Sequence, residues 1–193
     1  MKTCLVVIVF FVCGAPGLIA QNNAELKELE AEDQAVRLED KKVTRDDNDR
    51  IKLVLALLAK GAAQTPEDKY NAAMVLQHTP ATSCEGRLVS TSADNYLLAH
   101  YLATEAFEGG LERARGLVAQ TIDRYLSFTE GRQKYGTNQF VNQKTGKVEL
   151  TPIDRSVPDS ERAKYGIAPL AEILKHWPEQ KIENKSPQKK PDK

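Results

Sequence analysis

Histidine, cysteine and tryptophan are scarce in this chain, which has 3 His, 3 Cys and 1 Trp in 193 residues. There is no His-x-x-x-His pair and no pair of closely spaced cysteines, so a zinc-type centre is not expected and no metal is assigned. Neither a glycine-rich phosphate loop nor a Gly-x-Ser-x-Gly elbow occurs, which takes nucleotide hydrolysis and standard serine-hydrolase chemistry out of the leading readings. No cofactor is expected. A charge excess is also missing: 27 Lys+Arg stand against 27 Asp+Glu. Such a balance does not build a surface that neutralises phosphates, so nucleic acid is not an expected partner.

Cys4 and Cys13 fall within the first 20 residues. That stretch has one basic residue, Lys2, an apolar run from Leu5 to Cys13, and then the helix-breaking Gly14-Ala15-Pro16-Gly17 before Leu18-Ile19-Ala20. This pattern predicts a secretory signal cleaved after Ala20, with retention as an N-terminal anchor as the alternative. The run is too short for a permanent span, which needs about 20 apolar residues. Once the signal is removed, Cys84 is the only cysteine and no intrachain disulfide can form. Cys84 sits in Thr82-Ser83-Cys84-Glu85-Gly86, with an acid adjacent and no histidine close in sequence, so an unreactive loop cysteine is expected.

What remains is rich in helix formers. Residues 24–42 read as an amphipathic helix with Leu26, Leu29, Val36 and Leu38 as its stripe. Acids at 46–49 precede the aliphatic run Ile51, Leu53, Val54, Leu55, Leu57, Leu58, which reads as a central core helix ending before Gly61. Thr65-Pro66-Glu67-Asp68 is a helix start that should run to about His78 and stop before Pro80. A loop containing Cys84 follows. Two more helices are predicted, one opening at Thr91–Asp94 with Leu97, Leu98, Tyr101, Leu102 and Ala106 inward, the other over residues 111–128 with Leu111, Val118, Ile122, Tyr125 and Leu126 apolar. The segment 140–150 offers two β-prone runs around Asn142–Gly146, and short helices are expected after Asp159 and near Pro169. The expected fold is therefore mainly α: a compact antiparallel helical domain over residues 21–178 with a small β-hairpin near residues 137–151. A disordered polar tail is expected over 179–193.

Polar residues interrupt these helices at a few places: Gln77-His78, His100, Asp123-Arg124, and the non-periodic run from Gln133 to Gln139. The set formed by DQAVR (33–37), the aliphatic helix ending at Gly61, LQH (76–78), DRYL (123–126), QKYGTNQ (133–139) and ERAKYGIAPLAEIL (161–174) resembles an uncharacterised bacterial family, domain of unknown function 6624. The resemblance spans nearly all of the chain after residue 20. The family's Gln-x-Tyr-Gly-Thr-Gln is interrupted here by Asn138 before Gln139, and its Arg-Arg before Gly-Leu appears as Glu161-Arg162 before Gly166-Ile167. It implies architecture and candidate positions, and no activity.

The residue chemistry sets the functional expectations. With an ordinary pKa near 6.5, His78 can act as a general base or a ligand, with Gln77 and the Tyr135-Gly136-Thr137 loop orienting a polar substrate. Gly136 lets backbone approach a ligand, Gln133, Thr137 and Gln139 offer neutral donors and acceptors, and Arg124 or Arg162 can hold a carboxylate or phosphate. The plain readings are a helix-capping His78, a packed His100, an Asp123–Arg124 surface or interhelix pair, and a merely connecting 133–139 loop. The chain reads as an exported bacterial protein, periplasmic or secreted, with no membrane span after signal cleavage. Its expected role is a binding or interaction domain with a polar pocket where Gln77-His78 meets Gln133–Gln139, and its partner a small polar ligand or an envelope protein. The alternatives are an envelope enzyme, possibly a hydrolase, with His78 as base, and a structural envelope protein using its charged first helix as a contact.

Overall fold

The computed structural model describes residues 21–38, 41–84, 87–142 and 145–177. The expected signal at 1–20 and the polar tail at 179–193 lie outside the described residues. In chain order come α1 (Ala24–Leu38), α2 (Asp47–Ala59), α3 (Pro66–Leu76), β1 (Ala81–Cys84), β2 (Arg87–Ser90), α4 (Ala93–Glu108), α5 (Arg115–Thr129), β3 (Gln139–Val141), β4 (Val148–Leu150), α6 (Asp159–Lys164) and α7 (Leu170–His176). A 3-10 turn at Glu112–Ala114 leads into α5. Helices dominate, as the residue pattern predicts. No helix among the described residues is long and apolar enough to cross a membrane.

Local chemistry explains the helix starts. Asp46 caps α2 by accepting from Asp49 N at 2.9 Å. Thr65 and Asp68 cap α3 reciprocally, with Pro66 at the first position, where no amide partner is needed. Asp68 is fully buried and also accepts from Asn23 N at 2.6 Å, so the cap that starts α3 also fixes the entry to α1.

α1 and α2 pack on α3, α3 packs on α4, and α4 packs on α5. Ala72 and Ala73 of α3 and Ala99 and Ala103 of α4 are all fully buried, and such small side chains allow close approach of the two helices. Leu26, Leu29, Val54, Leu76 and Val118 complete the main core. A second, smaller cluster is built from Leu150, Ile153 and Ile173, joining the β3–β4 hairpin to α7. β3 and β4 pair antiparallel with Phe140 opposite Glu149, within the region where the hairpin is expected.

Several expectations need correction. α1 stops at Leu38 rather than at residue 42: Leu38 is itself exposed, and Lys41 N turns back to Ala35 O at 3.3 Å. α2 is not buried all round, because Leu55 lies on the flank of the Ile51–Val54–Leu57 face and is 37% exposed. Tyr101 of α4 is likewise exposed, its inward place being taken by Tyr96, which stacks on Phe128 at 5.4 Å. The expected loop around Cys84 is a second hairpin, with Ala81 opposite Ser90 and Thr82 opposite Val89. Leu88, Val89 and Cys84 on it are exposed, so no burial pattern announced it in the sequence.

The packing separates two leucines that look equivalent in sequence. Leu29→Ala should cost about 2–5 kcal/mol, whereas Leu55→Ala should cost less than about 1 kcal/mol. Urea denaturation of the two variants measures both.

Candidate functional site

The 133–139 run folds around one carboxylate. Asp123, on α5, is fully buried, and its Oδ1 accepts from Lys134 N at 2.7 Å and Tyr135 N at 2.8 Å. Its Oδ2 accepts from Gly136 N, Thr137 N and Thr137 Oγ1, each at 2.8 Å. Burial pushes the Asp123 carboxyl above its usual range, while the amides and hydroxyl of residues 134–137 pull the other way. All five contacts are donors, which is the arrangement an ionised carboxylate requires. Asp123 is therefore not half of a surface pair with Arg124.

The neighbouring candidates are turned inward as well. Arg162 is completely buried and donates to the carbonyls of Tyr135, Val157, Lys134 and Asp154 and to Asp159 Oδ1. With its donors on the protein's own carbonyls, it clamps the loop rather than holding a ligand. Gln133 Nε2 donates to Thr151 O at 2.7 Å and Asn138 O at 3.0 Å, and its Oε1 accepts from Asn138 N, so the inserted Asn138 is bonded to the same side chain. Tyr135 is buried edge-on to Tyr165 with its hydroxyl 3.3 Å from Glu161. Gly136 has φ +99°, and a Cβ there would meet Ile153 Cδ1 at 3.0 Å and Ile173 Cδ1 at 3.2 Å, so its backbone approaches the core. Gln139 alone of this set is exposed.

A different set surrounds His78. Its Nδ1 lies 2.7 Å from Oδ2 of Asp33, on α1, and the imidazole is 18% exposed. Asp33 is 1% exposed and sits on the buried face of α1, in line with Leu26 and Leu29. Its Oδ1 is 2.8 Å from Arg37 Nη1, and its Oδ2 also accepts from Gln34 Nε2 at 2.9 Å. A second fully buried arginine, Arg50 of α2, lies behind it, with Nε 3.8 Å from Asp33 Oδ1 and Nη2 on Asp47. That Nε has no hydrogen-bond partner among the described residues. Arg124, one residue past Asp123, points the other way and donates through Nη1 to Gln77 O. Gln77 is buried, with its side chain on Met74 Sδ at 3.0 Å.

Burial lowers the pKa of His78; the Asp33 carboxylate opposes this, and the positive charges of Arg37 and Arg124 reinforce it. The neutral ring therefore carries its proton on Nδ1, facing a carboxylate that only accepts, and leaves the Nε2 lone pair unused by any hydrogen bond among the described residues. Burial also lowers the pKa of Arg124, with Arg37 adding like-charge repulsion. Thus Gln77, His78 and Arg124 belong to one cluster, and Gln133 to Thr137 with Arg162 to another. No hydrogen bond or ion pair joins the two sets among the described residues.

Asp33 and Arg37 bound the DQAVR run on which the family resemblance rests, but the residue chemistry gave neither of them a role. Their signal was an acid seven residues after Leu26 on an apolar stripe, with an arginine four residues later. His100 is a packed residue, its Nδ1 on Val118 O at 3.0 Å. A shallow cavity of about 190 Å³ lies elsewhere, lined by Gly136, Gln139, Ile167, Ile173, His176 and Trp177 among others, and no member of the His78 cluster borders it. Compared with protein-family models, curated proteins and solved structures, the chain matches none.

Replacing Asp123 by Asn puts an NH2 group among donors, so Asp123→Asn should cost about 3 kcal/mol or more in chemical denaturation. His78 gives a pH signature. Its native pKa lies below the unfolded value of about 6.5, so its contribution to stability is complete above that pH and falls away as the pH drops through it toward the lower native pKa. His100 shifts in the same direction through burial. His78→Gln should therefore reduce, without abolishing, the loss of stability between pH 7.5 and 5.5 in urea melts.

Proposed function

We propose that this protein binds a small, polar, anionic ligand at the Asp33–His78 pair, with Arg124 supplying the positive charge. The observation that carries the reading is Arg124: a half-buried guanidinium beside His78 that has no carboxylate partner among the described residues. Taking a cation out of water costs several kcal/mol unless an anion compensates, and a planar guanidinium suits carboxylate or phosphate oxygens. Arg37 is held by Asp33 at 2.8 Å and Asp47 at 3.0 Å and borders the site without free charge, and the neutral imidazole adds an acceptor. On this reading Gln133, Tyr135, Gly136, Thr137 and Arg162 are scaffold that holds α5, and with it Arg124, in position. Export to the periplasm or medium and membership of the unknown-function family that the motifs resemble belong to the same proposal.

The enzyme reading comes second. An imidazole oriented through Nδ1 by a buried carboxylate is half of a general-base arrangement, and Nε2 is left to take a proton from water or a substrate hydroxyl. No Ser, Thr or Cys side chain hydrogen-bonds to that ring among the described residues, so the geometry favours activated water over a covalent nucleophile. A purely structural role for α1 would call for an exposed apolar stripe, and Leu26 and Leu29 are fully buried.

A residue kept for ligand binding weakens the fold that carries it. Arg124→Met should leave stability within about 1 kcal/mol of wild type or raise it, while abolishing stabilisation by anionic metabolites. Differential scanning fluorimetry of both proteins across phosphorylated and carboxylated compounds reads this. Absence of any anion response in the wild type overturns the reading.

A further inference from the structure

The chemistry at His78 narrows the ligand, provided that the anion-site reading above holds. We infer that the ligand is an oxyanion that brings its own hydrogen-bond donor beside the charge, as hydrogen phosphate and 2-hydroxy acids do, and not a fully deprotonated oxyanion such as sulfate. The argument begins at Asp33. Its Oδ2 receives His78 Nδ1 at 2.7 Å and Gln34 Nε2 at 2.9 Å, while Oδ1 is held by Arg37 at 2.8 Å. A carboxylate held in this way accepts only, and burial of the ring beside the Arg37 and Arg124 guanidiniums favours the neutral imidazole, so its one hydrogen is on Nδ1 and Nε2 is a lone pair. Nothing among the described residues donates to that lone pair, although the ring is 82% covered and little water can reach it, the exposed share being 18%. An anion drawn in by Arg124 therefore meets one acceptor as well as a cation, Arg37 being held by Asp33 and Asp47. An oxygen without hydrogen would face the Nε2 lone pair across the site, a repulsion that an O–H removes and replaces with a hydrogen bond.

The same geometry gives Asp33 its part. It is a positioning residue, holding the tautomer that makes Nε2 an acceptor, while Arg124 provides affinity for any anion. Selectivity and affinity thus come from different residues and can be lost separately.

The test is titration of the purified chain at pH 7.5 with phosphate, sulfate, lactate and propionate, followed by calorimetry and thermal shift. Phosphate over sulfate, lactate over propionate, or both, by at least about tenfold, is the expected result, since a hydrogen bond to a charged ligand is gained in one member of each pair. Which pair discriminates distinguishes an inorganic phosphate ligand from a hydroxy acid. In His78→Ala the preference should vanish while an Arg124-dependent response to all four remains. A second measurement needs no variant: once lowering the pH has protonated His78, followed through its own imidazole NMR signals, Nε2 becomes a donor and the preference for lactate over propionate should shrink or reverse. Equal binding of both members of each pair by the wild type overturns this inference and leaves the anion site standing. A preference that survives both in His78→Ala and on protonation of His78 also overturns it. No binding of any of the four, with Arg124→Met behaving as wild type, overturns the anion site itself.

Discussion

A carboxylate withdrawn from water must be met by donors from elsewhere in the chain, and two such carboxylates organise this molecule. Asp33 occupies a core position on α1, and Asp123 a core position on α5. Neither helix supplies enough donors for its own acid. Asp123 therefore takes four backbone amides and a hydroxyl from residues 134–137, which makes the segment after α5 fold back over it. Arg162 then gathers the carbonyls that this reversal leaves pointing inward, among them those of Lys134 and Tyr135, so the acid and the arginine sit on opposite sides of one loop. α6 and α7 follow from that clamp.

The two acids differ in what they leave over. Around Asp123 every donor comes from the segment it folds, and the product is a closed structural unit. Around Asp33 the donors are Gln34 and Arg37 on α1 and His78 just past α3, with Arg50 of α2 an ion-pair neighbour at 3.8 Å. His78 brings two ring nitrogens and uses one of them there, and Arg50 keeps a buried Nε without a hydrogen-bond partner among the described residues. A fold that needed only to neutralise Asp33 has no use for the second imidazole nitrogen or for the uncompensated Arg124 close by. It is this surplus that supports a ligand site, since incompletely paired polar groups cost stability and persist where something else requires them.

Much of the fold was legible because it rests on local signals. Thr65-Pro66-Glu67-Asp68 announced α3 through its cap, and the β-prone runs on either side of Asn142–Gly146 announced the β3–β4 hairpin. What was not legible was of two kinds. The β1–β2 hairpin has few buried side chains, so Ala81–Ser90 lacks the alternation that marks a half-buried strand. The flank position of Leu55 and the exchange of Tyr101 for Tyr96 depend on which neighbour each helix face meets, and that is a tertiary fact. In the candidate site, His78, Arg124 and the 133–139 run stood out as polar residues in apolar surroundings. Their division into two clusters did not, because Asp123 and Arg124 are adjacent in sequence while a helix turns their side chains to different neighbours. Asp33 opens the DQAVR run of the family resemblance, yet its chemistry was hidden among the acids of AELKELEAEDQAVRL and showed only in its register with Leu26 and Leu29.

That register also explains why α1 belongs to the site and is more than a charged cover. Moving Asp33 one position in either direction would turn its carboxylate off the buried stripe, away from His78 and toward solvent, where a lone imidazole at a helix end gains only the modest benefit of the dipole. With Asp33 in register, the burial of Leu26 and Leu29 pins α1 against α3 and brings the acid to the imidazole at the far end of the same contact. The hydrophobic face thus does the positioning on which the polar chemistry depends. Disturbing the packing around Leu29 would change the tautomer and basicity of His78 without touching either polar residue, which couples the stability of the first helix to whatever the imidazole accepts.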